Sequence, residues 1–355
     1  MLLEGLQLPL TTPFYPDGRL NLRKLEHNVR RYSKTPVAGL VALSHSGEPT
    51  MLSDEETRQT LRCVLEAAAV EKVLLAGVSR DSVLETLRLA EYAAELGYDA
   101  VLVKQPSVLQ AGVDGDARKS LLTYFKAVAD RSALPVVLYS GASERGDVLS
   151  VELVSELAGH SQIIGLVDGS AGKLPVAKLK AATVWVKRDV NVTPVFAAAT
   201  GRMLARRETG PAGGFISADT LTEGGGAVAV APPKPMVKTR TKVVGFQILV
   251  ANTASVLEGL LAGAVGAMSA FAASAPQVCY EVLAAWKDGD EGLAQEKQTR
   301  LHEVVARVEG QLGVAGIKFG CDLNGYYGGW PRLPLLPPTG EERAEIEGLM
   351  QGLRN

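Results

Sequence analysis

Short apolar runs alternate along the chain with longer segments of helical periodicity. Eight such runs of five to seven residues, rich in Val, Leu and Ile, predict strands at residues 6–12, 39–44, 72–77, 100–104, 134–139, 163–168, 246–250 and 265–270. Most of these runs are too apolar to leave one face to water, which is typical of parallel strands covered on both sides.

Amphipathic helices are predicted between the strands. One apolar stripe recurs at spacings of three and four residues, as on the buried face of a helix: Leu22, Leu25, Val29 and Tyr32. Ser53 with Glu56, and Ser82 with Glu85, have the spacing of capping boxes and predict the first turns of the next two helices. Gly97 predicts the end of the helix that begins after Ser82.

The alternation of strands and helices predicts a (β/α)8 TIM barrel over residues 1–271. Right-handed crossovers place sequential parallel strands side by side, and eight of them close into a barrel. An open doubly wound sheet is the alternative, but no Gly-x-Gly-x-x-Gly segment follows the first strand. Helical patterns at 276–287, 291–309 and 341–353 predict a C-terminal helical extension over residues 272–355.

Successive predicted strands begin about thirty residues apart, with one exception. The spacing between strands six and seven is much longer, which predicts an insertion at 186–243. Residues 206–240 are rich in Gly and Pro, whereas the flanks 190–196 and 237–244 are β-rich and are predicted to pair as a hairpin. Loops that follow barrel strands build the active-site face, so we interpret the insertion as a lid or an oligomer contact. Passive surface decoration is the alternative.

Composition narrows the classes of partner. The 37 basic and 39 acidic residues give a net charge of −2, so no basic field is present to bind a nucleic acid. The three cysteines lack the spacing of a disulfide framework or a zinc site. Unpaired thiols of this kind are typical of proteins in a reducing cytoplasm. The first residues lack the pattern of a signal peptide, and no apolar run is long enough to span a bilayer. We therefore expect a cytoplasmic protein that binds neither nucleic acid nor membrane.

Several segments share an order and a spacing that are distinctive: 8–14 (LPLTTPF), 44–49 (SHSGEP), 52–56 (LSDEE), 263–269 (GAVGAMS) and 332–335 (RLPL). Tyr139 ends the fifth predicted strand, and Lys318 lies before the last segment. Together they resemble the dihydrodipicolinate synthase / N-acetylneuraminate lyase family, over residues 5–185 and 244–350. The resemblance implies a (β/α)8 barrel with C-terminal helices, assembled as dimers or tetramers.

The resemblance also implies chemistry on pyruvate-like 2-oxo acids through a lysine Schiff base. The family's lysine belongs on strand six, in a Gly-Ile-Lys-Glu-Ala-Ser setting, whereas residues 165–170 here read Gly-Leu-Val-Asp-Gly-Ser. Val167 occupies the position of that lysine, and an isopropyl group cannot form an imine. An ordinary dihydrodipicolinate synthase is therefore not expected.

Other positions depart from the family as well. The arginine five residues beyond the catalytic tyrosine is Glu144 here, with Arg145 next to it. The family has a pair of aromatic residues after strand four, and Ser107 and Val108 occupy those positions here. The Gly-Asp pair that ends strand seven is replaced by residues 251–252, Ala-Asn.

Three residues are candidates for catalysis. Tyr139, at the family's tyrosine position, can exchange a proton at the barrel mouth. His45 replaces a family threonine and can supply acid–base chemistry, although a loop histidine is also often incidental. Lys104 ends strand four and is either the amine of a relocated Schiff base or a lysine that extends into the loop. Transaldolases, a related group of barrel enzymes, carry their lysine on strand four.

The direction of Lys104 cannot be decided from the sequence, because residues 100–103 are all apolar. Lys173 lies on the loop after strand six and would have to fold back to reach the mouth. Glu48 is expected to fix its loop and to bind backbone amides rather than to react. A mechanism without an imine, using His45 or Tyr139 as acid and base, stays open.

Four further residues are candidates for substrate binding: Ser46, Gly47, Asp168 and Asn252. Asp168 is also a conceivable metal ligand, but a carboxylate beside one histidine is too small a set, so no metal and no cofactor are expected. The loop 320–331 contains Tyr326, Tyr327 and Trp330, which suit an oligomer interface or a pocket wall. Packing of the C-terminal helices on the barrel explains these aromatics equally well.

The sequence therefore predicts a homo-oligomeric, lyase-like enzyme of aldolase or dehydratase type that acts on a small 2-oxo or hydroxy acid. The alternative is a non-catalytic family descendant that binds a small molecule or serves assembly, because fold alone does not determine function. Polar groups that converge on the mouth favour the enzyme, and apolar filling around Val167 favours the alternative.

Overall fold

The computed structural model describes residues 1–109, 117–141, 148–170, 175–205 and 238–353. Glu144, Arg145 and Lys173 lie outside the described residues, as does most of the Gly/Pro-rich stretch 206–240.

The described residues form ten strands. They are β1 (Gly5–Pro9), β2 (Gly39–Ala42), β3 (Val73–Gly77), β4 (Ala100–Lys104), β5 (Val136–Ser140), β6 (Ile163–Asp168), β7 (Arg188–Val192), β8 (Arg240–Val244), β9 (Gln247–Val250) and β10 (Gly266–Ala267). Eight of them, all but β7 and β8, close a barrel in which every neighbouring pair is parallel. The predicted (β/α)8 barrel and its eight strands are confirmed.

Helices alternate with the strands and continue beyond the barrel. They are α1 (Leu22–Tyr32), α2 (Asp54–Ala67), α3 (Val83–Leu96), α4 (Ala117–Arg131), α5 (Val151–Leu157), α6 (Val176–Ala182), α7 (Gly201–Ala205), α8 (Val256–Leu261), α9 (Pro276–Lys287), α10 (Glu291–Val305), α11 (Gly313–Leu323) and α12 (Gly340–Leu349). The capping box of Ser53 and Glu56 is present. Ser82 accepts the amide of Glu85, and Gly97 ends α3 at a φ of 102°.

The C-terminal extension contains one helix, α11, that the sequence periodicity does not predict. Helix α11 is interrupted in sequence by Gly316 and Gly320, which lower helix propensity. Both glycines permit close packing, because an added Cβ would lie 2.6 Å from the Val308 carbonyl oxygen at position 316 and 2.7 Å from Ser274 Oγ at position 320. The last residues of α11 therefore belong to a helix, and not to the loop predicted to begin at Gly320.

Side chains of the barrel strands alternate between two apolar layers, as the geometry of a strand requires. We call the inner layer the lumen cluster, which consists of Leu3, Val41, Val73, Leu75, Ala100, Leu102, Val137, Ile164, Val167, Leu249 and Met268. The intervening strand residues, such as Val101 and Val103, pack outward against the helices. This alternation fixes which residues at the strand ends face the lumen.

The insertion lies on a different face of the barrel from the one expected. Helix α6 follows β6 directly, so the insertion leaves the barrel after that helix, at the amino-terminal ends of the strands. There the amide of Gly201 donates to Asp99 (2.9 Å), and Arg188 donates to the carbonyl oxygens of Ala158 and His160 (2.8 Å each). The described parts of the insertion therefore do not form a lid over the carboxyl-terminal mouth.

The predicted hairpin within the insertion is confirmed. Strands β7 and β8 pair antiparallel, from Arg188 opposite Val244 to Val192 opposite Arg240. Val190 and Val192 are buried against Leu2 of the amino-terminal segment. The hairpin thus packs at the amino-terminal end of the barrel, opposite the mouth. No helix among the described residues combines the length and the apolarity required to cross a bilayer.

Candidate active site

One row of backbone partners crosses the mouth of the barrel. Lys104 is paired with Tyr139, Tyr139 with Val167, and Val167 with Leu249. Ala100 and Leu102 belong to the lumen cluster, so Lys104, two residues beyond Leu102, has the parity that faces the lumen. We call Lys104, Tyr139 and Val167 the mouth row.

The surroundings of Lys104 are polar and partly open to solvent. Its amide donates to Ser79 Oγ (2.8 Å), and its side chain is half-buried. Asp81 accepts from the amide (2.6 Å) and hydroxyl (2.7 Å) of Ser107. These hydrogen bonds, and to a lesser extent the charge of Lys104, hold the pKa of Asp81 below its ordinary value of 3.8. A carboxylate thus lies near the amine at the rim of the mouth.

Tyr139 is half-buried and packs against the lumen cluster. Its hydroxyl lies beside the backbone of Gly169, where an added Cβ would be 3.0 Å from both the Tyr139 hydroxyl and the Ser140 carbonyl oxygen. The Gly169 amide also donates to that carbonyl oxygen (2.8 Å). A residue without a side chain at position 169 is therefore what lets the phenol reach across to β6.

The loop after β2 places two predicted binding residues in the interior and the histidine outside. Ser46 and Gly47 are buried, whereas the side chain of His45 is exposed. Thr12 donates to the Gly47 carbonyl oxygen (2.7 Å), which joins this loop to the segment after β1. The structure therefore brings Ser46 and Gly47 to the carboxyl-terminal end of the barrel and leaves His45 at its rim.

Glu48 holds this loop through a buried ion pair. Its backbone is left-handed at a φ of 52°, and its carboxylate pairs with Lys318 of α11 while both side chains are almost fully buried, at 2% and 1% exposure. The carboxylate also accepts the amide of Arg332 (2.9 Å), and Lys318 donates to the Trp330 carbonyl oxygen (2.8 Å). Burial lowers the pKa of Lys318, and the Glu48 charge opposes this shift. The expectation that Glu48 fixes the loop is confirmed.

Arg332 extends this connection to helix α2. Its guanidinium donates to both carboxylate oxygens of Glu56 (2.8 and 2.6 Å) and lies 4.2 Å from the centroid of the Phe14 ring. These hydrogen bonds lower the pKa of Glu56 to about 2. No sequence pattern indicates the partners of Arg332 or Lys318. A lysine within the apolar stretch of α11 is nevertheless a signal, because charged side chains are rarely buried unless they are paired.

Asp168 and Asn252 have local roles in the structure. Asp168 has the parity of Leu166, which packs outward, and its carboxylate accepts the amide of Ser170 (2.9 Å). Burial raises the pKa of Asp168, and the hydrogen bonds from Ser170 oppose this shift. The Asn252 side chain accepts the amide of Ala254 (2.9 Å). Both side chains therefore cap the loops after their strands, and neither is a member of the mouth row.

The aromatic loop packs largely within the chain. Tyr326 is buried and stacks on Tyr32, with ring centroids 4.2 Å apart, and Tyr327 lies 4.9 Å from the Lys24 amine. Trp330 is 42% exposed. Of the two interpretations of this loop, packing of the C-terminal region on the barrel accounts for the first two aromatics.

Metal-ligating side chains are not assembled in the part of the chain that the structure describes. No three His, Cys, Asp or Glu residues there are grouped as a ligand set.

The match to a protein family decides the relationship. The model of the dihydrodipicolinate synthetase family matches residues 2–192 and 233–353, which include every barrel strand. The chain belongs to the dihydrodipicolinate synthetase family. The gap in the match falls within the insertion at 186–243.

Relatives within the dihydrodipicolinate synthetase family carry out lyase-type reactions. A 4-hydroxy-tetrahydrodipicolinate synthase of Acidiphilium cryptum is 26% identical over 350 residues, with 99% of this chain and 98% of that protein covered. An L-threo-3-deoxy-hexylosonate aldolase of Hypocrea jecorina is 27% identical over 364 residues, with 99% and 95% covered. A solved structure of a family member from E. coli K12, in complex with pyruvate, has a TM-score of 0.73, 24% identity and 99% coverage of each chain. This last likeness concerns the fold.

Proposed function

We propose that this protein is a lyase of aldolase or dehydratase type that acts on a small 2-oxo acid, or on a hydroxy acid derived from one, with Lys104 as the imine-forming amine. The observation that carries the proposal is the mouth row. It puts a lysine on the lumen side of β4, one strand away from Tyr139 and two strands away from Val167.

The distances within the row suit an amine on a long side chain. Neighbouring strands are ~4.8 Å apart, so the backbones of Lys104 and Val167 are separated by about 10 Å. The flexible four-carbon stem of lysine spans much of this separation. Lys104 can thus present its amine to a carbonyl group held beside Tyr139.

The imine step uses groups of the mouth row only. The unprotonated Lys104 amine attacks the carbonyl carbon of the 2-oxo acid and forms a C–N bond, while the carbonyl oxygen takes up a proton from Tyr139. The nitrogen, which is positively charged after the attack, gives a proton to the phenolate. The phenol then protonates the hydroxyl of the resulting carbinolamine, which leaves as water while the nitrogen lone pair forms the C=N bond of the protonated imine. The imine then withdraws electrons from the neighbouring carbon, where a C–C or C–O bond is made or broken.

The loop of residues 44–48 supports the substrate in this proposal. Ser46 supplies a hydroxyl at the end of β2, which suits a substrate carboxylate. The Gly47 amide already donates to the Ser44 carbonyl oxygen (2.9 Å), so Gly47 shapes the loop rather than supplying a donor. The buried pair of Glu48 and Lys318 keeps this loop in place. His45, at the exposed rim, is the acid–base group of the variant of this proposal that forms no imine.

Two observations favour the non-catalytic alternative. Val167 is fully buried and packs within the apolar lumen cluster with Leu249 and Met268. Asp168 and Asn252 cap their own loops. In this second candidate function, the protein binds a small acid at the mouth without turning it over.

Turnover assays with matched variants distinguish the two candidates. Pyruvate and other 2-oxo acids are offered with and without aldehydes, and condensation and cleavage are followed by mass spectrometry. Lys104→Arg keeps the positive charge but cannot form the imine, and Tyr139→Phe removes only the hydroxyl. We expect both to abolish most turnover and the exposed control Lys34→Arg to retain it. Full activity in folded Lys104→Arg would overturn the proposal.

We further propose that the protein is a homo-oligomer, a dimer or a tetramer. The support is the family relationship and an apolar surface around the exposed residues Trp330, Leu333 and Leu336. Light scattering at micromolar concentration is expected to give a multiple of the chain mass. A monomeric mass would contradict this.

A further inference from the structure

Glu309 lies in an unusual turn between α10 and α11. Residues Ala306–Gln311 form a π-helical turn, a rare conformation that is frequent at functional sites. The turn belongs to the C-terminal extension, outside the barrel strands. It nevertheless directs the carboxylate of Glu309 to two loops of the barrel mouth.

The carboxylate of Glu309 binds both of the last two barrel loops. One oxygen accepts the amide of Thr253 (3.2 Å), and the other accepts the amide of Phe271 (3.0 Å) and the hydroxyl of Thr253. That hydroxyl is also hydrogen-bonded to the hydroxyl of Ser269. Thr253 and Ser269 are fully buried. One side chain therefore joins the loop after β9 to the loop after β10.

Each bonded amide belongs to the first turn of a short 3-10 helix. Thr253 begins the turn Thr253–Ser255, and Phe271 is the second residue of the turn Ala270–Ala273. Amides in such first turns have no acceptor within their own helix, and a carboxylate satisfies them well. Burial raises the pKa of Glu309, and the hydrogen bonds from Thr253 and Phe271 oppose this shift.

The two loops lead straight to the lumen. Ala251 and Met268, which precede Thr253 and Ser269 by one or two residues, pack in or against the lumen cluster. The amide of Ala251 donates to the Asp168 carbonyl oxygen, and that of Met268 to the Val250 carbonyl oxygen, at 2.8 Å each. A shift of either loop would therefore move the wall of the lumen next to Val167.

We propose that Glu309 is a positioning residue of the active site, which sets the lumen wall formed by the loops after β9 and β10. The inference rests on the proposed function and extends it, because the C-terminal extension becomes part of the catalytic unit. Glu309 touches no reacting atom and acts through Thr253, Ser269 and Phe271.

Kinetics of folded variants separate positioning from plain stability. Displacements of about 1 Å cost up to about 100-fold in rate, so we expect kcat to fall about 10- to 100-fold in Glu309→Ala, at temperatures well below its unfolding midpoint, with a smaller change in KM. Glu309→Gln keeps one acceptor oxygen, so its kcat should lie between those of the wild type and Glu309→Ala. Glu303→Ala, at an exposed position of α10, is the matched control and should match the wild type.

A second measurement does not depend on turnover. In methyl-labelled protein, the signals of Ala251 and Met268 should shift in Glu309→Ala and stay unchanged in Glu303→Ala. If the wild type shows no turnover but these signals shift, the proposed function fails while the positioning of the lumen wall by Glu309 is supported. Unchanged methyl signals, or unchanged kcat in a folded but less stable Glu309→Ala, would overturn the inference.

Discussion

Lys104 and Tyr139 are direct backbone partners on β4 and β5, and both have the parity that faces the barrel lumen. Tyr139 is in turn paired with Val167, the position at which the family resemblance implies a lysine. The amine and the phenol thus lie on the same side of Val167. Under the proposed function, Lys104 takes the role that the resemblance implies for a lysine at position 167.

Placing an amine at position 167 tests whether the mouth row faces a substrate pocket. In a Lys104→Ala background, Val167→Lys places the amine on β6, and burial should lower the pKa of that amine and favour its reactive form. We expect borohydride and pyruvate to give a covalent adduct on the peptide that contains position 167. Lys104→Ala alone is the control. A folded double variant without an adduct would show that the row does not reach the bound substrate.

The pair of Lys318 and Glu48 predicts a large loss of stability on one-sided removal. Lys318→Met leaves a buried carboxylate without its cation, which costs about 3–5 kcal/mol in the free energy of unfolding. Lys297→Met removes a more exposed partner of Glu281 and should cost about 1 kcal/mol or less. Urea unfolding measures both variants. Combining Lys318→Met with Glu48→Gln should recover part of the lost stability. Equal losses of stability in Lys318→Met and Lys297→Met would contradict this account.

Glu56 predicts a specific loss of stability in acid. Its pKa is lowered from 4.5 to about 2 by Arg332, so the folded state binds this proton less readily than the unfolded state. The stabilisation is present above about pH 5 and is lost as the pH falls towards 2. Glu56→Gln should therefore be less stable than the wild type near neutral pH, and the difference should shrink on acidification. A difference that is independent of pH would refute the assignment.

Removal of residues 206–237 should be tolerated. The segment is rich in Gly and Pro and has little apolar area to offset the entropy of ordering it, whereas the hairpin of β7 and β8 and the helix α7 pack on the barrel. With a short linker in its place, the thermal midpoint should stay within a few degrees. Insoluble protein after the deletion would overturn the prediction.

The contact between α7 and the barrel should by contrast contribute to stability. Asp99→Ala removes the acceptor of the Gly201 and Leu74 amides and should lower the free energy of unfolding by about 1–3 kcal/mol.

The barrel was predictable because its strands are continuous apolar runs and its helices carry clear caps, such as Ser53 with Glu56. The parity of Lys104 was not, because every residue before it on β4 is apolar and no alternation can be read. The structure supplies the parity through the packing of Leu102 inward and Val103 outward.

Contacts between residues that are distant in the sequence could not be predicted either. Glu48 and Lys318 lie at opposite ends of the chain, and no spacing rule connects them. The sequence predicts the insertion on the wrong face because α6 has only seven residues, too few to indicate the helix that completes the sixth unit. A short helix between two loops leaves little periodicity to detect.

Borohydride trapping tests the central claim most directly. The protein is incubated with pyruvate and with other 2-oxo acids, reduced, digested and mapped by mass spectrometry. We predict an adduct on the peptide that contains Lys104, which is lost in Lys104→Ala and unaffected by the exposed control Lys34→Ala. Turnover of a 2-oxo acid with no lysine trapped anywhere in the chain would contradict the imine mechanism and leave acid–base catalysis by Tyr139 or His45 in its place.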